Sequence, residues 1–162
     1  MPVDPSIMAA AKRYFNGVKC LDGKFTVVVP RYTKNPKFRG CPGGLDLCRT
    51  KQLPEDKQRR ICDGAVEGTA RLMAKTFGPG NTTVKDIGEW RDPKTKEVFR
   101  EAGVQISTRF RNSCLIPKKN DQFMRTLNRI MINACQTQVF IEDEKGAALI
   151  NTGQLRKPRV RR

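Results

Sequence analysis

The chain contains no histidine. That absence excludes every mechanism needing an imidazole, including Ser–His–Asp and Cys–His nucleophiles and His-ligated zinc. Acidic residues are few beside basic ones, 16 Asp and Glu against 32 Lys and Arg, leaving a formal charge of +16 at pH 7. No apolar run approaches the ~18 residues of a membrane-spanning helix. No Cys-x-x-Cys pair occurs, and the step from Cys41 to Cys48 is too wide for a zinc knuckle, so neither a metal nor a cofactor is expected. What is present suffices for one packed core: 162 residues, 38% hydrophobic and 30% charged, the proportions of a single domain and not of a disordered chain.

Six cysteines remain to be explained: Cys20, Cys41, Cys48, Cys62, Cys114 and Cys135. An even set is read as disulfides, with about 15 pairings that spacing leaves open. The competing reading is buried reduced thiols packing as small hydrophobes. Disulfides are favoured because Cys41 and Cys48 lie in an irregular stretch with little else to hold it, where each bridge adds roughly 2–4 kcal/mol. Asn81-Thr82-Thr83, after Gly78-Pro79-Gly80, forms an N-glycosylation sequon in a turn. Lys12-Arg13 is a dibasic pair of the type cut by secretory convertases, or else an ordinary charged helix end. Both features suit a secreted, extracellular protein whose signal segment has already been removed.

Segment 1–17 reads as a leader or short helix, 18–151 as one domain and 152–162 as a basic tail. Lys24–Val29 is a β-branched strand, apolar enough for burial on both faces. Residues 30–53 form a basic loop punctuated by Pro and Gly. Pro54-Glu55-Asp56 opens a helix with proline in its first turn and acids at the positive end of the dipole. Ile61, Ala65, Thr69, Leu72 and Phe77 give it one apolar face, with Gly64 and Gly68 allowing close approach to a sheet. Thr83–Trp90 and Ala102–Arg111 read as a hairpin, in which Val104, Ile106, Thr108 and Phe110 alternate inward while Arg109 and Arg111 face solvent. Asn120 is the expected cap of a second helix carrying Phe123, Leu127, Ile130, Met131 and Ala134. Strands at Gln138–Glu142 and, as a hairpin extension, Ala147–Ile150 follow.

The order strand, helix, strand, strand, helix, strand predicts an α+β, ferredoxin-like two-layer sandwich (βαββαβ): an antiparallel sheet with both helices on one face, stapled by disulfides. Cys62, Cys114 and Cys135 lie where they would tie the helices to the sheet periphery. With its dibasic site, six cysteines and basic surface, the chain resembles small secreted cysteine-rich effectors and killer-toxin-like α/β proteins of fungi. The likeness spans about residues 18–150, rests on architecture and cysteine count, and transfers no functional residue. It implies a monomeric, non-enzymatic virulence or toxin-like protein acting on a host or competitor cell, with translocation into host cells as one route.

The binding surface expected for such a protein is basic: Arg31, Lys34, Lys37, Arg39, Arg49 and Lys51 in the loop, with Arg109 and Arg111 on the sheet. Its partner would be a host or target-cell protein or an anionic surface. The alternative is an intracellular, ribosome-associated RNA-binding protein, with nonspecific contacts from the Arg156–Arg162 tail. No aromatic-rich RNA-binding signature supports that alternative, because Phe110 alternates inward. Glu89, Glu97 and Glu101 would supply carboxylates to a ribonuclease, but no histidine partners them. The expectation is therefore no enzymatic activity.

Overall fold

The computed structural model describes residues 3–15, 21–35, 37–42, 53–78, 80–91, 94–111, 117–136 and 138–153. Its elements are α1 (Pro5–Tyr14), β1 (Gly23–Pro30), α2 (Glu55–Phe77), β2 (Asn81–Arg91), β3 (Val98–Phe110), α3 (Pro117–Asn133), β4 (Gln138–Asp143) and β5 (Ala147–Asn151). One open sheet carries all five strands in the order β2-β3-β1-β4-β5, and every neighbouring pair is antiparallel. β1 and β2 therefore point the same way with β3 between them, and β3 and β4 do so around β1. This is a mixed α/β architecture of five strands and three helices: beyond the four strands and two helices of the βαββαβ pattern, the N-terminal segment takes its helical alternative as α1 and the hairpin extension forms as β5.

The sheet has one covered face because β1 and β3 alternate in phase. Val27 lies opposite Ile106 and Val29 opposite Val104, and all four are buried. Onto them pack Cys62, Ala65, Thr69 and Met73 of α2 and Phe123, Leu127 and Met131 of α3. Four phenylalanines close the end of this layer. Phe77 lies 5.3 Å from Phe25, 5.1 Å from Phe110 and 5.1 Å from Phe123, centroid to centroid, separations at which aromatic pairs add to simple burial. A Cβ at Gly23 would collide with the Phe110 ring, so glycine is needed where β1 enters this cluster.

Several expectations are corrected here. β1 is buried along its helix-covered face, while on the other face Thr26 is buried beside Ser107 but Val28 is only half-buried. The buried stripe of α2 is turned slightly from the expected one, with Cys62 and Met73 innermost and Ile61 and Leu72 half-buried. A Cβ at Gly64 would meet nothing within 4 Å, and one at Gly68 would meet Ile130 of α3 at 3.7 Å, so neither glycine serves approach to the sheet. α3 begins at Pro117 in place of Asn120, consistent with proline's tolerance in a first turn. β3 starts four residues early, at Val98. Positions 98–101 are exposed or half-buried and show no apolar alternation, so only their pairing with β2 makes them strand.

Cys41 and Cys62 form a disulfide with Cα atoms 5.7 Å apart, joining the segment after β1 to the second turn of α2. Both are buried, at 1% and 0% exposure. Cys135 is also disulfide-bonded; Cys20, Cys48 and Cys114 lie outside the described residues, as do Arg49, Lys51 and the basic tail. No helix among the described residues is long and apolar enough to cross a membrane. The Cys41–Cys62 bridge spans 21 residues. Replacing both cysteines by alanine is expected to cost about 3 kcal/mol through the freed unfolded chain, read as a lower urea midpoint with a steeper slope, because the uncrosslinked unfolded chain exposes more surface.

Candidate functional site

With both packed helices on one side, no described helix packs on the other face of the sheet, toward which the even-numbered β1 residues point. One ladder row crosses all five strands: Val84, Gln105, Val28, Phe140 and Leu149. In the next row, toward the end of β1, Asp86 pairs with Gly103, and beyond it Gly88 pairs with Glu101. Two glycines thus replace side chains where the open face would otherwise be filled. Glycine inside a strand commonly marks a close approach of backbone or ligand. Here it leaves a hollow.

A wall rises beside that hollow. β1 stops at Pro30, and the chain returns so that Arg39 takes its place beside β3. The Arg39 N–H donates to the Arg100 carbonyl at 2.6 Å, and the Ala102 N–H donates to the Arg39 carbonyl at 2.8 Å. The Arg31 N–H donates to the Ala102 carbonyl at 3.0 Å, and the Cys41 N–H to the Arg31 carbonyl at 3.0 Å. A Cβ at Gly40 would sit 2.5 Å from the Arg31 carbonyl oxygen, so only glycine permits this return. The Arg39 guanidinium lies 3.3 Å over the Phe99 ring, a cation–π contact. The Cys41–Cys62 bridge ties the wall to α2 two residues further on.

The groove so formed encloses about 910 Å³, within the usual range of small-molecule sites. Val28, Pro30, Phe140 and Leu149 line it with apolar surface, Gln105, Gln136 and Gln138 with amides, and Asp86, Glu89 and Glu101 with carboxylates; Arg39 is the lining cation. Asp86 is held at both oxygens: Oδ1 accepts the Ile87 N–H at 2.7 Å and Oδ2 accepts Gln105 Nε2 at 2.8 Å. Glu89 pairs with Arg100 at 2.8 Å. The groove is therefore a carboxylate-rich pocket in a chain of charge +16. Among the described residues, no three metal-ligating side chains gather at one point.

The described residues of the predicted basic surface are spread over the fold. Lys34 reaches across to the start of α2 and bonds Glu55 at 2.5 Å. Lys37 is exposed, and one nitrogen of Arg31, Nε, is buried without a hydrogen-bond partner. Arg39 sits in the groove wall. Arg109 lies opposite Lys24, eight residues along β3 from Glu101, roughly 27 Å away at strand spacing. Arg111 is exposed beyond the end of β3. Asn81 is not a free turn residue, since its Nδ2 donates to the Ala70 carbonyl at 2.6 Å. Lys12 and Arg13 occupy the last turn of α1, where cations suit the helix dipole. Of the carboxylates noted in the sequence, Glu89 and Glu101 line the groove and Glu97 does not. Asp86 and Gln105 carry no signal of their own in the sequence; the glycines within their two strands are the features that point to them.

No family model matches the chain, and no curated protein does. Solved structures that are similar include a phage SAM lyase in complex with S-methyl-5'-thioadenosine, 13% identical, TM-score 0.48, covering 82% of this chain and 92% of that one. The phage SAM lyase in its apo state is 14% identical, TM-score 0.45, over 83% and 92%. Likeness at this level assigns no residue and no substrate. Both structures are nonetheless of an enzyme, and nothing matched is an effector, a toxin or fungal. The expectation of a non-enzymatic effector or toxin-like protein is corrected accordingly.

The Lys34–Glu55 contact has a consequence that pH can expose. Its hydrogen bond, aided by the charges of Lys34 and Arg59 and by Tyr32, holds the Glu55 carboxyl below the usual carboxylate range. A depressed folded-state pKa contributes stability that is present above the unfolded pKa and lost as pH falls through the folded one. Lowering the pH from about 5 to about 3 is expected to lower the urea midpoint of the wild type more than that of Glu55→Gln, by a small margin because the pair is exposed.

Proposed function

We propose that the chain is an enzyme that binds a small organic cation in the groove on the open face of the sheet. One observation carries this reading: Asp86 and Glu101 stand in adjacent rows of the open face and line the groove of a strongly basic chain, with Glu89 at its rim and paired to Arg100. Overall positive charge repels cations at long range, so a pocket lined with acids discriminates by local contact. The apolar row of Val28, Phe140 and Leu149 suits a planar or aliphatic body, and the glutamine amides suit its polar edges. With no imidazole available, proton transfer there falls to a carboxylate. Asp86 is the best oriented, since Gln105 and the Ile87 N–H fix both its oxygens. We read the β1-α2-β2-β3-α3-β4 core as ferredoxin-like, with α1 and β5 added; the strand order supports this.

SAM and S-methyl-5'-thioadenosine are suitable probes because the first carries a sulfonium charge and the second is neutral. Calorimetric titration is expected to show saturable binding of SAM that weakens roughly tenfold in Asp86→Asn and in Glu101→Gln, as for loss of a charge-assisted contact. The neutral compound should bind the variants as it binds the wild type. Incubation of SAM with the wild type, followed by mass spectrometry, tests turnover. Failure of any cationic nucleoside or amine to saturate the groove, or unchanged binding in both variants, would sink the proposal.

A further inference from the structure

The sheet ends on β2, and no described element pairs with its outer edge. This edge is 11 residues long, against 5 in β5 at the opposite edge. From Thr82 to Glu89 every side chain is exposed. Val84 at 55% and Ile87 at 43% put apolar surface on both faces of the strand. A long, exposed edge with apolar side chains is a template for another strand. What joins it can be read from its charges.

We propose that β2 pairs antiparallel with β2 of a second copy of this chain, about a two-fold axis at Ile87, making one continuous sheet from two. In a symmetric antiparallel pair, directly opposed residues share a face, so the axis must fall on a residue, and residue i opposes j wherever j opposes i. Axes at Lys85, Asp86 or Glu89 set each of those charges against itself, and an axis at Gly88 sets Lys85 against Arg91; like charges so placed are destabilising. An axis at Val84 avoids repulsion but forms no ion pair and leaves Glu89 and Arg91 outside the overlap. The axis at Ile87 sets Lys85 opposite Glu89 twice and packs Ile87 on itself. Glu89 already holds Arg100 at 2.8 Å, so the incoming lysine completes an alternating row of charge. On the open face the same register brings Asp86 opposite Gly88 of the second copy, extending the groove across the axis. The dimer does not depend on what the groove binds, and it replaces the monomer anticipated from sequence.

Light scattering coupled to size exclusion, on the full chain over a range of concentrations, is the test. The expected mass is twice the 18.3 kDa chain. Ile87→Lys, which places like charges on the axis, and Lys85→Glu, which faces Glu89 with a second carboxylate, should each weaken dimerisation about tenfold or more. Circular dichroism should confirm that both variants fold, since the positions are exposed. Combining Lys85→Glu with Glu89→Lys should bind more tightly than Lys85→Glu alone. A monomer at every concentration, a different stoichiometry, a dimer indifferent to Ile87→Lys, or a double variant no tighter than the single one would each overturn the proposal.

Discussion

The pairing of β1 with β3 decides which side of every strand is inside. Val27 opposite Ile106 and Val29 opposite Val104 make a buried apolar strip at the centre of the sheet, and α2 and α3 lie on that strip. Because strand side chains alternate, the same register sends Thr26, Val28, Ser107 and Gln105 to the other face. Thr26 and Ser107 share a hydrogen bond there at 2.8 Å. A slip of one residue would exchange the two sets and abolish core and groove together. Packing and site are thus two consequences of one alignment.

The groove also depends on how the sheet runs out. β1 ends at a proline, which cannot donate a ladder hydrogen bond, and the returning segment around Arg39 fills the vacated lane beside β3. That segment has no regular structure of its own. Backbone bonds to Arg100 and Ala102, a glycine at position 40 and the Cys41–Cys62 bridge hold it. The wall is therefore set by contacts far apart in sequence, and the carboxylates facing it come from the hairpin on its other side. Charge follows the same logic: the chain as a whole is basic, while one concavity gathers acids.

Much of the fold was legible because it is written in short-range pattern. Pro54, Glu55 and Asp56 mark the start of α2; alternation from Val104 to Phe110 marks the buried half of β3; Gln138–Glu142 and Ala147–Ile150 fall within a residue of β4 and β5. Errors arose where pattern was absent or ambiguous. Residues Val98–Glu101, none of them buried, have strand geometry only because β2 lies alongside them, and Val28 could not be told from its buried neighbours by apolarity alone. The basic residues recur along the chain, and their placement is not legible there: Arg39 and Arg109 stand near opposite ends of β3. The groove itself was barely legible, since Val28, Asp86, Gln105, Phe140 and Leu149 come from five different strands.

By itself the sequence determined the number and type of most elements, the absence of imidazole chemistry and the excess of positive charge, because these follow from residue identity and from periodicities of two and 3.6. Only the tertiary structure decided that Cys41 joins Cys62, that Gly88 and Gly103 open a hollow, and that acids collect there. Those outcomes depend on which strand lies beside which and in what register. Such pairing is fixed by burial summed over the whole core, a quantity that no local window of sequence contains.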